Sequence, residues 1–287
     1  MDLEEPILII SDLHLGHTAS AIKQPEQLAP LFREAATVVF NGDATELLFL
    51  QRREEAQQLF ARLNKVCQAE GAQPIFINGN HDPEVSDVNH LDLYEGAVLV
   101  THGDVMFHEI TPWSNKGKLL GAEHTRVLNE LVGSPLPEFE LRLQAAKRAS
   151  LVLERKGSLL PRGKREWLGK VKREVWPPAR LFRLLEVWAQ TPARAVELMQ
   201  RYRPQARFIL IGHTHRAGVW KLQERVVINT GSFAALAGLL AVRLEGDALT
   251  VHRIKRRARQ FCLGRTKDRF EIAPLHQAVT LDDLALT

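Results

Sequence analysis

Ile209-Leu210-Ile211-Gly212-His213-Thr214-His215 is the stretch on which the reading of this 287-residue chain turns. An apolar run stops at a glycine and gives way to two histidines two positions apart. In an extended chain, residues i and i+2 point to the same side. A strand that runs on past Gly212 would therefore present both imidazoles together, which suits a transition metal. A His-x-His pair on its own says little, but four earlier stretches repeat its design. Ile7-Leu8-Ile9-Ile10 runs into Ser11-Asp12-Leu13-His14, and Val38-Val39-Phe40 into Asn41-Gly42-Asp43-Ala44-Thr45-Glu46. Pro74-Ile75-Phe76-Ile77 runs into Asn78-Gly79-Asn80-His81-Asp82, and Val98-Leu99-Val100 into Thr101-His102-Gly103-Asp104.

Short all-apolar runs of this kind fit strands buried on both faces. Helical spacing fills the gaps over residues 26–36 and 54–71, with Gly71 as a stop signal. Strand–helix–strand alternation predicts an α/β fold. Open α/β sheets place ligands outside the carboxyl ends of their strands, and every polar cluster above falls there. After His215, Gly218–Trp220 and Val226–Ile228 read as a pair of short strands. Leu239–Leu244 and Leu249–Ile254 read as a hairpin joined through Glu245-Gly246-Asp247. The basic tail from Lys255 to Arg269 fits either an ordered edge or a loose end.

Residues 105–207 break the rhythm. They hold no apolar strand, and helices are expected at 122–132, 139–156, 164–175, 179–190 and 193–202, punctuated by prolines that include Pro177, Pro178 and Pro192. They carry 20 Lys and Arg against 10 Asp and Glu, a net +10, which leaves the rest of the chain at −6 within a total of +4. The organisation expected is a core of residues 1–104 and 208–271, a basic helical cap inserted at 105–207, and a C-terminal tail at 272–287. A basic surface attracts phosphate esters, nucleic acid and anionic membrane surfaces. The composition, 45% hydrophobic and 25% charged, is that of a soluble globular protein. No apolar run is long enough to span a bilayer, and the acidic start lacks the basic region of a signal peptide. Cys67 and Cys262 match no metal-ligand spacing and read as free thiols of a reducing compartment, so a cytoplasmic location is expected.

Collected from the strand ends, Asp12, His14, Asp43, Asn80, His102, His213 and His215 supply two carboxylates, one amide and four imidazoles. One metal needs about four such ligands. Seven, with Asp43 able to bridge, suit two divalent ions. Nitrogen and oxygen ligands without cysteine favour manganese, iron or zinc over calcium or magnesium.

In their order, Asp12-x-His14, Gly42-Asp43, Gly79-Asn80-His81-Asp82, His102-Gly103 and Gly212-His213-x-His215 resemble the motifs of the calcineurin-like metallophosphoesterases. That resemblance implies a four-layer α/β/β/α sandwich and two divalent ions, with manganese expected first. It implies Asp12, His14, Asp43 and His215 at one ion, and Asp43, Asn80, His102 and His213 at the other. The expected activity is hydrolysis of a phosphodiester or pyrophosphate bond by a metal-bridging hydroxide. The resemblance implies that His81 donates to the phosphate or leaving-group oxygen. Glu46 is read either as the acid that orients His81 or as a first-turn helix acid favoured by the macrodipole. His17 and Arg216 are expected to face the substrate. Within the family, Asp12-Leu13-His14-Leu15, Thr101-His102-Gly103-Asp104 and Gly212-His213-Thr214-His215-Arg216 resemble the UDP-2,3-diacylglucosamine pyrophosphatases of lipid A synthesis. Those enzymes carry arginine where this chain has His81. An amphiphilic phosphorylated substrate, a nuclease working through the basic cap, and a non-catalytic scaffold are the alternatives.

Overall fold

The computed structural model describes residues 3–48, 50–155, 178–234 and 238–275. Strands β1 (Ile7–Ile10), β2 (Thr37–Asn41) and β3 (Gln73–Ile77) run parallel, each apolar run ending where the polar motif begins. They join β9 (Leu240–Glu245), β10 (Ala248–Arg257) and β11 (Gln260–Glu271) in a six-stranded sheet of order β11-β10-β9-β1-β2-β3. The second sheet comprises β4 (His90–Leu93), β5 (Val98–Thr101), β6 (Phe208–Ile211), β7 (Gly218–Leu222) and β8 (Arg225–Asn229), in the order β4-β5-β6-β8-β7. Here β5, β6 and β8 are parallel, while β4 and β7 are antiparallel edges.

The all-apolar runs are explained by alternation. Ile7, Ile9 and Val39 of the first sheet share one core cluster with Val98, Val100, Phe208 and Leu210 of the second. Leu8, Ile10, Val38 and Phe40 point the other way, into a cluster with Leu31 and Phe32 of α1 (Ala29–Phe32) and Leu63 and Cys67 of α2 (Arg53–Ala69). Leu99, Ile209 and Ile211 pack against Phe139 and Leu143 of α4 (Glu138–Ser150) and Leu198 and Met199 of α6 (Pro178–Tyr202). With both faces covered, neither alternate set can be polar. The fold is mixed α/β with two sheets and flanking helices.

Several elements differ from the expectation. The helix expected over 26–36 is a 3-10 turn at Pro25–Leu28 followed by the single turn of α1, since Pro30, inside the expected span, has no N–H to continue the first turn. Strand β4 was not anticipated, because His90 and Asp92 occupy alternate positions of a solvent-facing edge. The tail from Lys255 is an ordered edge that forms the end of β10 and most of β11.

In the segment 105–207, α3 (Gly117–Glu130), α4 and α5 (Val152–Arg155) are helical as expected, and the helix expected at 164–175 lies outside the described residues. The two helices expected on either side of Pro192 are one, α6, with Pro192 inside it. A proline there has no N–H to give the carbonyl four residues back, that of Trp188. The Arg216 guanidinium donates to that oxygen instead, at 3.0 Å. Near the start of the segment, Asp104 and Lys147 form a buried ion pair, Nζ lying 2.8 Å from both carboxylate oxygens. Among the described residues no helix is long and apolar enough to cross a membrane.

Candidate metal centre

The strand ends converge because the two sheets are tied together there. Asn41, the last residue of β2, is fully buried. Its side-chain amide donates to Thr101 O at 3.0 Å and Leu210 O at 3.1 Å, both in the other sheet. Its own carbonyl accepts from His102 Nδ1 at 3.0 Å. One side chain thus brings the ends of β2, β5 and β6 to a common point. The glycines of the motifs permit the approach: a Cβ on Gly212 would run into the Asp12 carboxylate, and one on Gly79 into that of Asp43.

The backbone leaves the strands in left-handed turns rather than running on. Asp12, His14, Asp43, His213 and His215 all have positive φ, between 50° and 64°. The extended geometry expected past Gly212 is therefore wrong. His213 and His215 do not share a strand face; the turns send them to different neighbours.

Among the described residues, ligand-capable atoms of Asp12, His14, Asp43 and His215 lie within 4.8 Å of one another, as do those of Asp43, His102 and His213. In the first group His215 Nε2 is 3.1 Å from Asp12 Oδ1 and 3.1 Å from His14 Nε2. In the second, His102 Nε2 is 3.3 Å from Asp43 Oδ2 and 3.2 Å from Asn80 Oδ1, which places Asn80 beside that group. All seven expected ligands are thus gathered, and Asp43 is common to both groups.

The donor set fits divalent cations. Each of the three buried histidines has one ring nitrogen bonded to an oxygen: His14 Nδ1 to Glu46 at 2.7 Å, His102 Nδ1 to Asn41 O, and His213 Nε2 to Ile110 O at 2.7 Å. Such bonds fix the tautomer and free the other nitrogen to ligate. Burial alone would raise the Asp43 pKa; His102, His81 and His14 around it outweigh that and hold it well below the usual carboxylate range.

His81 stands beside these groups. Its N–H donates to Asp43 Oδ1 at 2.8 Å, and its ring Nδ1 lies 2.8 Å from Glu46 Oε2. Glu46 lies in an irregular segment, not a helix, and is fully buried. Its two oxygens divide between His14 and His81, which replaces the helix-acid reading by the pairing one. Burial, the largest influence, opposes charge on His81, but Glu46 and Asp43 outweigh it and push its pKa up to about 10.

His17 stands next to His14, the ring centroids 6.2 Å apart, and lines a cavity of about 210 Å³ with Lys23, Arg52 and Glu55. Arg216 is held between the rings of Trp188 and Trp220, 5.8 and 5.6 Å from their centroids.

Other residues have structural parts here: the sequence suggests no role for Asp82, and it offers Asn229 as a turn residue near the site. Asp82 accepts from the backbone N–H of Asp43, Thr45 and Gly79. Burial, then the Asp43 charge, raises its pKa to about 7. It closes the motif Gly79-Asn80-His81-Asp82, and its three-residue spacing from Gly79 is the signal the sequence offers. Asn229 donates to Gly212 O at 2.8 Å and Thr214 Oγ1 at 2.9 Å. Trp188 Nε1 donates to Thr214 O at 2.8 Å, and Trp113 packs on His213 at 5.1 Å. Strand β8 and helix α6 therefore hold the His-Thr-His turn from two sides.

Residues 5–217 match the family described as calcineurin-like phosphoesterase. No curated protein matches the chain. Similar solved structures include a Vacuolar Protein Sorting 29 from Cryptosporidium parvum, at 12% identity and TM-score 0.43, covering 94% of this chain and 100% of that one. A dimetal phosphatase from Danio rerio is 13% identical at TM-score 0.42, covering 91% of this chain and 99% of that one. A cold-active protein-tyrosine phosphatase from a psychrophilic Shewanella is 15% identical at TM-score 0.35, covering 88% and 78%.

Proposed function

Since the chain belongs to the calcineurin-like phosphoesterase family, we propose that it is a dinuclear metal-dependent hydrolase of a phosphodiester or pyrophosphate bond. The observation that carries this reading is Asp43, whose carboxylate is shared by two of the three ligand-capable groups among the described residues, the third being His14, Glu46 and His81. Asp12, His14 and His215 would complete one site, and Asn80, His102 and His213 the other. A ligand set with two carboxylates and no thiolate suits manganese, with iron or zinc as alternatives. When bound, such ions acidify water toward neutrality and neutralise phosphate oxygens.

The chain's own groups supply the rest. Of the gathered side chains, His81 and His215 are the ones open to solvent, 27% and 32% exposed, while His14, Asp12, Asp43 and His102 are buried. A phosphate therefore approaches between those two rings. Glu46 fixes His81 with its protonated imidazole toward the opening, so His81 donates to the leaving-group oxygen. General acids of this kind contribute about 10²–10⁴-fold.

The test is a manganese-loaded screen of bis-p-nitrophenyl phosphate, p-nitrophenyl phosphate, UDP-2,3-diacylglucosamine and single-stranded DNA. Hydrolysis of the monoester alone would overturn the diester and pyrophosphate preference. His81→Ala, at unchanged metal content, is expected to lose about 10²-fold or more in kcat. Full activity in that variant would overturn the assigned role, and a wild type inactive with every metal would favour the scaffold.

A further inference from the structure

The edge of the six-stranded sheet carries a feature that hydrolysis does not use. Strand β9 is antiparallel to β1, Ile9 facing Val242, so Leu240 lies level with the carboxyl end of β1, where Asp12 emerges. Strand β10 pairs with β9 only as far as Arg253 opposite Leu240, while β10 and β11 remain paired to Arg257 opposite Gln260. About four residues of each strand thus run past the sheet as a two-stranded ribbon, roughly 13 Å long at 3.4 Å per residue. It projects from the end of the sheet that bears the metal centre. Its far end is fixed beside that centre: Phe261, opposite Arg256, packs on Phe233 at 5.1 Å, the Phe233 N–H donates to Asp12 O at 3.1 Å, and the Gln27 side-chain amide donates to Arg259 O at 2.7 Å.

Residues 253–269 contain eight Lys and Arg and one acidic residue, Asp268. All eight are exposed. Among the described residues only Lys267 is ion-paired, with Asp268, whereas Arg33, Arg52, Arg62, Arg126 and Arg201 elsewhere on the surface all meet carboxylates. Charged side chains also keep edge strands from pairing with other copies, but that need does not account for this concentration. Residues 253–269 carry +7, with Lys255, Arg256, Arg257 and Arg259 on the ribbon and its turn and the others at its base, and the chain outside them and outside 105–207 carries −13.

We propose that this ribbon docks a nucleic acid by its phosphate backbone beside the metal centre. Six of the eight cations of residues 253–269 are arginine, the side chain whose planar fork matches phosphate, and all stay exposed on a hairpin that packs on the core through Ile254, Phe261 and Leu263. An anionic membrane is the poorer fit. Peripheral anchoring buries apolar side chains, and the exposed large ones among the described residues, Val132, Leu136, Leu181, Phe182 and Leu185, all lie elsewhere.

Binding to a fluorescein-labelled DNA duplex is measured by anisotropy in EDTA, so that it does not depend on hydrolysis and fails or succeeds separately from the proposed activity. Wild type is expected to bind at about 50 mM salt and to weaken steeply by about 200 mM. The triple variant Arg256→Gln, Arg257→Gln, Arg259→Gln should bind roughly tenfold or more weakly. Its slope of log K against log salt should fall by about 2.7, or about 0.9 for each phosphate no longer neutralised. The matching triple change to lysine retains the slope, which separates charge from any loss of folding. No duplex binding by wild type, an unchanged slope in the glutamine variant, or binding to phosphatidylserine vesicles in place of the duplex would each overturn the proposal.

Discussion

Lys147→Met probes the buried ion pair that joins α4 to the residues after β5. Asp104 is 0% exposed and Lys147 5%, and the ammonium meets both carboxylate oxygens at 2.8 Å. Removing one partner of such a pair strands the other charge and costs about 3–5 kcal/mol. For a chain of this length that corresponds to a fall in Tm of about 6–10 °C, at about 2 °C per kcal/mol. Burial acts to raise the Asp104 pKa, and Lys147, then His102, hold it below the usual value. A depressed carboxylate pKa stabilises above the unfolded value, 3.8, and the contribution is lost as pH falls through the folded one. Without Lys147 the Asp104 pKa rises, so the deficit of the variant is largest at about pH 7 and narrows toward about pH 4. The assay is thermal denaturation by circular dichroism, in EDTA, at both pH values. Lys147→Met with Asp104→Asn should recover most of the loss, because no buried charge remains. A deficit below about 1 kcal/mol at neutral pH, or one that widens in acid, would refute the reasoning.

Glu46→Gln should lower kcat by about 10–100-fold while leaving His81 in place, measured on bis-p-nitrophenyl phosphate. In EDTA the wild-type Tm should fall between pH 6.5 and about 10 more than that of Glu46→Gln. A histidine pKa raised from 6.5 to about 10 stabilises fully below the lower value and loses that contribution as pH rises through the upper one. EDTA treatment should abolish hydrolysis and manganese restore it, and Asp43→Asn should reduce the bound metal per chain, read by elemental analysis. Pro192→Ala should raise Tm by relieving part of the about 3 kcal/mol that an interior proline costs. The new N–H would compete with Arg216 for Trp188 O, a change visible in the indole fluorescence.

What could be read in the sequence depended on how local its cause was. Ile7–Ile10, Val98–Val100 and Phe208–Ile211 announced themselves because burial on both faces forbids polar residues at either phase. The polar residues that follow them were legible for the same reason, as abrupt exceptions at the ends of strands. Strand β4 carries no such run, since His90 and Asp92 face an edge. Pro192 reads as a helix end, and only a partner 24 positions along the chain, Arg216, makes its place inside α6 tolerable. The pairing of Asp104 with Lys147 and the double donation of Asn41 likewise join residues far apart in the chain. His213 and His215 were recognisable as a pair, but the left-handed turns that part them depend on Asn229, Trp188 and the Asp12 carboxylate, which accepts the His213 N–H at 3.1 Å.

Those turns also have a thermodynamic consequence. A left-handed conformation costs an L-residue about 1–2 kcal/mol, and five of the gathered residues adopt it. Their sum, about 5–10 kcal/mol, rivals the whole net stability of an ordinary domain, about 5–15 kcal/mol. Aspartate and histidine tolerate this region better than most residues, so the side chains able to hold a cation are also among those that strain the backbone least there. A cation that binds only the folded chain returns about 2.7 kcal/mol when its free concentration is about a hundred times Kd. If the gathered groups hold the proposed ions, the folding equilibrium of this protein would be tied to the cellular supply of them. Starvation for them would lower the population of folded chains as well as their turnover.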